Sequence, residues 1–508
     1  MNGTSAHASR THITSLFTSS LNSSSKANSR DDPNYYVPNT QSLITSSTVH
    51  SFATGTGSRL YDSLTPVLKS TNSELILVTC FWARSPTLST LSSVLRHLSE
   101  KAIHRGTDKI RVRLCFSSLS LFQKLFHKQS TDGQYYSPDV WEKKLGLPPP
   151  GELTGLDLTI KSVFVLPFSV MHPKFMIIDR RIVVLPSCNI SWEEWFEGYL
   201  TLSGAITDQF LNFYSAFWDR KSPRSSTPST TPIQKSTANP SVVTRDTGAG
   251  AGTELQIPHS HGYNMAFFHP FSAASFVPTI FLPSPHHRNP RFSPFISLDK
   301  SITRAPPTPL NLFILTLLEK AEHTIRIQTP NLTSPPVLSA LLRALERGVH
   351  VKILTSERLM VLEQLVTAGT TTKRCINRLI KRYERLLLST SSTPSSRRPR
   401  TRDTDEEAAI AALPIHPGNL QISYFAPVNG PKKRGREGGE PQQSHLKMLI
   451  VDSEILVLGS GNLDRASWFT SQELGIAVLD DAVTQRVGNC VDEGMKGRSR
   501  CVFDSVEG

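Results

Sequence analysis

Two stretches of this sequence carry the same reactive side chains in the same order. The first runs His172, Lys174, Asp179, then Ser187 and Asn189. The second runs His445, Lys447, Asp452, then Ser460 and Asn462, with every spacing repeated. One His-x-Lys-x4-Asp arises by chance; two copies with the same trailing Ser-x-Asn are a strong signal. The residue types suit phosphoryl chemistry. A neutral imidazole attacks phosphorus and holds it covalently, splitting one hard displacement into two easier ones. A second, protonated imidazole gives a proton to the leaving oxygen and later takes one from the incoming alcohol or water. Lysines and asparagines neutralise the non-bridging oxygens as charge builds. Two fixed ammonium groups call for no metal, and the sequence has no carboxylate cluster of the metal-binding kind, so no metal and no cofactor is expected. The candidate catalytic set is therefore His172, Lys174, Asp179, His445, Lys447 and Asp452. Ser187, Asn189, Ser460 and Asn462 are the candidate phosphate-binding groups.

The spacing predicts a hairpin in each copy. Phe175–Ile178 and Ile182–Leu185 read as strands around the link Arg180-Arg181, and Met448–Val451 and Ile455–Leu458 as strands around Ser453-Glu454. Folding about two-residue links sets His172 opposite Asn189 and Lys174 opposite Ser187, and likewise His445 opposite Asn462 and Lys447 opposite Ser460. With side chains alternating at period two, all four groups of each hairpin share a face. Asp179 and Asp452 stand seven residues after their histidines, an odd spacing that points them to the other face. Within the motif they read as turn-stabilising acids. Glu197 and Glu473, a little downstream, are the candidates to accept a hydrogen bond from a histidine and fix its tautomer.

The elements around these motifs also occur twice. Glu74–Trp82, Leu88–His104 and Ile110–Phe116 read as strand, helix and strand; so do His323–Gln328, Pro336–Gly348 and Val349–Leu354. Each trio is a right-handed βαβ unit with parallel strands. The fold class is α/β: two similar lobes, each a mixed or mostly parallel sheet flanked by helices, with the active site at the lobe interface. The expected organisation is a disordered or targeting tail over 1–49, a first lobe over 50–220 and a Ser/Thr/Pro-rich linker over 221–261. A second lobe over 262–485 follows, with a low-complexity insert at about 389–443 and a tail over 486–508.

Composition narrows the partners. With 55 Lys+Arg against 42 Asp+Glu, the net charge of +13 favours anionic partners: a membrane surface, nucleic acid or a phosphorylated substrate. Six scattered cysteines without a CxxC pair argue against a zinc site and a secreted disulfide framework, and for a reducing compartment. No apolar run approaches the roughly 18–20 residues needed to span a bilayer, so a lipid substrate is reached from the surface. Residues 1–30 are Ser/Thr-rich and lack acids, which leaves a disordered tail and a mitochondrial transit peptide both open. The basic run Pro431–Arg436 reads as a solvated loop, with nuclear import or phosphate binding as its functional alternatives.

The duplicated motif with its trailing Ser-x-Asn resembles the phospholipase D superfamily, over roughly residues 50–220 and 262–485. The basic segment Thr372–Leu388 followed by Leu420–Phe425 and His445 is similar to cardiolipin-synthase-like members. The resemblance implies two phospholipase D-like lobes and a phosphohistidine mechanism, with His172 as nucleophile and His445 as general acid/base. It also implies that Lys174, Lys447, Asn189 and Asn462 hold the phosphoryl group. The implied function is a phosphatidyl transferase or hydrolase acting on glycerophospholipid phosphodiesters. The alternatives are a nucleic-acid phosphodiesterase of the same fold and a non-catalytic scaffold. The implied protein is intracellular: peripheral to a membrane, mitochondrial, or otherwise cytoplasmic. It meets phospholipid at a membrane surface, as a monomer with pseudo-twofold lobes. Three departures stand out: Pro186 in place of glycine, Cys188, and Pro173 after His172. Pro173 removes a ladder hydrogen bond, which predicts an edge or bulged strand there.

Overall fold

The structure is a computed structural model that describes residues 2–106, 108–119, 133–164, 170–220, 276–286, 305–391, 416–431 and 440–506. Apolar alternation and β-branched runs form the strands of the first lobe. These are β1 (Ile44–Gly55), β2 (Glu74–Phe81), β3 (Ile110–Ser118), β4 (Leu156–Ser162), β5 (Phe175–Ile178), β6 (Ile182–Pro186) and β7 (Trp195–Gly204). The second lobe repeats the series as β8 (Val277–Ser284), β9 (Thr324–Gln328), β10 (His350–Thr355), β11 (Leu420–Phe425), β12 (Met448–Val451), β13 (Ile455–Gly459) and β14 (Glu473–Val478). In each lobe three parallel strands meet an antiparallel meander: β4-β3-β2-β5-β6-β7-β1 in the first, β11-β10-β9-β12-β13-β14-β8 in the second. The lobes join edge to edge where β1 pairs antiparallel with β8, from Ile44↔Ile280 to Ser47↔Val277. One continuous sheet thus runs through both lobes about a local twofold between β1 and β8.

Helices cover this sheet because their apolar stripes have nowhere else to go. The crossover helix α3 (Pro86–Arg105) starts with Ser85, whose side chain accepts from Leu88 N, and ends at Gly106 with φ 61°, a left-handed cap that suits glycine. Its counterpart is α6 (Pro335–Glu346). Among the described residues, no helix is long and apolar enough to cross a membrane.

Two segments expected as tails, and one strand, differ from the sequence expectation. Residues 10–49 are packed rather than disordered. The helix α1 (Asn2–Ser23) buries Ile13, Phe17 and Leu21, and Phe17 meets Phe313 of α5 (Pro309–Lys320) edge-on at 5.2 Å. The segment then continues directly into β1, so the first lobe begins before residue 50. The expected tail at 486–508 is likewise structured: α8 (Asp481–Gly494) buries Val487 and Val491, and β15 (Ser499–Asp504) pairs antiparallel with β11. Pro173, finally, precedes the first ladder residue, Phe175, so β5 is an internal strand between β2 and β6, neither an edge nor bulged. The 221–261 linker, most of the 389–443 insert and the basic run at 432–436 lie outside the described residues.

Candidate active site

Each motif hairpin differs from expectation by one residue. Ile178 pairs with Ile182 and Met176 with Val184, while Val451 pairs with Ile455 and Met448 with Leu458. The turn therefore has three residues and begins at the aspartate. Asp179 and Arg180 have φ of 49° and 54°, and Asp452 and Ser453 have 53° and 58°. Left-handed backbone is tolerated by aspartate better than by most residues, and here the surroundings fix it. Asp179 accepts from the backbone N–H of Asn72, Ser73 and Glu74 at 2.7–3.1 Å, and from the Ser73 hydroxyl. Asp452 accepts from Glu322, His323 and Thr324 N–H at 2.7–3.0 Å. Burial works against ionising Asp179, but these donors outweigh it and hold its carboxyl below the ordinary range. Both aspartates clamp the hairpin to the chain entering β2 or β9. These are contacts of the kind a turn-stabilising acid makes.

A one-residue slip exchanges faces, so the four polar groups of a hairpin do not line up as expected. The hydroxyls of the two serines go elsewhere. Ser187 donates to the Glu197 carboxylate, and Gly198 N–H donates to Ser187 Oγ at 2.9 Å. Ser460 donates to Glu473 at 2.5 Å, and Leu474 N–H donates to Ser460 Oγ at 3.0 Å. Both serine hydroxyl protons are thus directed to the carboxylates.

The glutamates then reach across. Glu473, from the second lobe, sits against His172 Nδ1 at 2.9 and 3.1 Å, and Glu197, from the first, against His445 Nδ1 at 2.7 Å. The backbones cross in the same reciprocal way. His172 N–H donates to Gln472 O at 2.9 Å and His445 N–H to Phe196 O at 2.9 Å, each partner being the residue just before a site glutamate. Two short parallel pairings accompany this, Met171↔Gln472 and Gln443–Ser444 with Trp195–Phe196. Each glutamate thus meets a histidine ring nitrogen, and does so between lobes. No local pattern announces which glutamate serves which histidine.

The ammonium groups lie buried in the same place. Lys174 is 1% exposed and donates to His172 O at 3.0 Å; Lys447 is 5% exposed and donates to His445 O at 2.6 Å. Burial pushes the Lys447 ammonium down to about 7, against the pull of Glu197 and with help from the charge on Lys174. The two lysines therefore sense each other across the lobe boundary. Burial also lowers His172, against Glu473, and brings His445 down to about 3, against Glu197. Burial opposes ionisation of both glutamates, but the neighbouring histidines and serines keep them below the ordinary range. Burial therefore favours the neutral form of both imidazoles, each with Nδ1 set against a carboxylate.

The asparagines differ from each other. Asn189 Oδ1 accepts from Phe81 N–H at 3.3 Å. Asn462 Nδ2 donates to Asp464 at 2.9 Å, while its buried Oδ1 has no partner. Asp464 caps the short helix Arg465–Phe469. The Trp195 ring lies over His445 with centroids 4.5 Å apart, a contact the motif spacing does not foretell. Among the described residues, no three His, Cys, Asp or Glu side chains gather in a metal-ligand arrangement.

With two HKD hairpins meeting in one site, the comparison with known proteins becomes specific. Residues 314–493 match the family model described as "Cardiolipin synthase, PLD-like domain". That segment contains the whole second motif. Residues 314–493 are thus similar to a phospholipase D-like domain. The first lobe, outside that match, repeats the strand order and motif of the second. Over 52 residues the chain is 35% identical to "Minor cardiolipin synthase ClsB" of Bacillus subtilis (strain 168), an alignment spanning 10% of this chain and 13% of that protein. Among solved structures, phosphatidylserine synthase of Haemophilus influenzae Rd KW20 aligns over 91% of this chain and 90% of its own, at 13% identity and TM-score 0.49. Nuc of Salmonella typhimurium, a phospholipase D family member, aligns over 38% of this chain and 90% of its own, at 16% identity and TM-score 0.24.

Proposed function

We propose that this protein is a phospholipase D-type phosphatidyl transferase or hydrolase acting on glycerophospholipid phosphodiesters through a phosphohistidine intermediate. The observation that carries the reading is the crossed pair of His–Glu hydrogen bonds, which gives two imidazoles with the same tautomer to one site. His172 Nε2 attacks phosphorus, and Glu473 stabilises the ring as it gains positive charge. A bound phosphodiester anion favours the protonated form of His445, whose Nε2–H then goes to the departing alkoxide. His445, neutral again, takes a proton from the incoming alcohol or water as it displaces His172. Lys174 and Lys447 neutralise the equatorial oxygens, and burial strengthens that attraction. The choice of His172 as first nucleophile rests on family resemblance, since the two halves match so closely. The cardiolipin-synthase description of the matched family model favours lipid over nucleic acid.

The test is incubation of the full chain with phosphatidylglycerol and, in parallel, with single-stranded DNA, followed by acid-labile phosphoenzyme trapping. Lipid turnover with a trapped adduct that disappears in His172→Ala is expected. Cleavage of DNA with none of lipid moves the assignment to a nucleic-acid phosphodiesterase. An adduct that persists in His172→Ala removes that residue from the nucleophile role.

A further inference from the structure

The helix Val361–Ala368 breaks the usual order of inside and outside. Leu362 is 77% exposed, Val366 45% and Leu365 40%, with Met360 at 39% just before them. Leu362, Leu365 and Val366 stand at i, i+3 and i+4, so they form one apolar face, while Gln364 on the other side is buried. Single exposed apolar residues are ordinary on a protein surface; four within seven residues mark an interaction site.

This face is fastened to the active site. Asn462 is followed by Leu463, whose carbonyl accepts from Thr333 and Ser334 N–H at 3.1 Å. The adjoining Leu332 N–H donates to Thr372 Oγ1 at 3.1 Å, and Thr372 N–H donates in turn to Gln364 Oε1 at 2.6 Å. The capped helix after Asn462, Arg465–Phe469, also packs on Val361–Ala368. An object resting on Leu362 and Val366 therefore rests beside the phosphate-holding end of the second hairpin.

The chain flanking the apolar face is cationic. The helix α7 (Thr372–Ser391) buries Cys375, Ile376, Leu379 and Tyr383 in the core and leaves Lys373, Arg374, Arg378, Lys381, Arg382 and Arg385 outward. Only Glu384 among its outward residues is acidic. An apolar face next to a cationic one suits an anionic lipid bilayer: leucines enter the acyl boundary while basic groups meet the headgroups.

We infer that the exposed helix Val361–Ala368, with the outward basic face of α7, docks the protein on an anionic lipid bilayer beside the site. The inference rests on the lipid reading above for its purpose, but not for its test. The full chain is sedimented with phosphatidylcholine vesicles that contain or lack phosphatidylglycerol. Binding to the anionic vesicles that weakens with salt is expected. Each leucine carried into the interface is worth about tenfold, so a Leu362→Asp/Leu365→Asp variant should lose roughly a hundredfold. Its turnover of a soluble short-chain phospholipid should match the parent. A second variant, Arg378→Glu/Arg382→Glu, changes only exposed side chains and should lose the preference for anionic vesicles. Thermal melting of both variants verifies folding. Unchanged sedimentation of the leucine variant, or equal binding of the parent to vesicles with and without phosphatidylglycerol, overturns the docking surface. Vesicle binding by a parent that turns over no lipid leaves the docking surface standing and sinks the lipid-enzyme reading.

Discussion

At the scale of residues, the site is organised by two carboxylates, each set between a histidine and a serine. Glu473 and Glu197 hold the Nδ1 protons of His172 and His445, and each is itself fixed by a serine hydroxyl. Glu473→Gln keeps the shape but presents an amide to Nδ1–H, so the tautomer and the charge stabilisation weaken together. Turnover should fall roughly 10- to 100-fold with KM nearly unchanged, read from steady-state kinetics on a soluble phosphodiester. Lys447 gives a pH prediction. It is charged below about 7 and loses its proton above that, so kcat/KM should decline on the alkaline side from near pH 7. Lys447→Met should abolish that limb along with most of the rate. The reactive residues were legible because they repeat: eight polar side chains at matched spacing have no bland explanation. The Ser–Glu contacts were not legible, because a hydroxyl beside an ammonium in the sequence says nothing about which acceptor it will meet.

At the scale of elements, the hairpin turn is the informative failure. Counting Arg180-Arg181 as a two-residue link assumed that Asp179 ends the strand. In fact Asp179 takes a left-handed backbone and begins the turn, because three amide N–H groups at the start of β2 claim its carboxylate. Those amides lie about a hundred residues upstream, so no local pattern reveals them. Asp179→Ala strands the amides and should cost about 1–2 kcal/mol in denaturant unfolding while leaving kcat unchanged. The same carboxylate titrates below its ordinary value. Its contribution is present above the unfolded-state pKa and disappears as pH falls through the lower folded one. The midpoint of acid unfolding should therefore rise in Asp179→Asn. The βαβ units, by contrast, were readable from local pattern alone: β2 is a near-continuous apolar run covered on both faces, and β9 alternates buried Ile325 and Ile327 with polar neighbours.

At the scale of the whole molecule, two lobes were legible and their seam was not. The duplication predicts a twofold, but the strands that make the seam, β1 and β8, belong to segments that looked like a tail and the far side of a linker. Residues 10–43 carry too many Ser, Thr and Asn to read as core, yet Phe17 is fully buried against Phe313. Phe17→Ala should lower unfolding stability by about 3–5 kcal/mol, measured by urea titration. Because the His–Glu bonds run between lobes, each lobe produced alone should show no turnover. Any activity from an isolated lobe in a phosphodiester assay would contradict the crossed arrangement.

The reciprocity of those bonds has a consequence for damage. Since Ser187, Glu197 and His445 form one chain of hydrogen bonds and Ser460, Glu473 and His172 the other, a lesion in either half silences the ring contributed by its opposite. Double variants that strike both chains should then be hardly worse than single ones. Under the proposed mechanism the site works as a lock with two keyholes: both hydrogen-bonded chains must be whole before either ring is held in place.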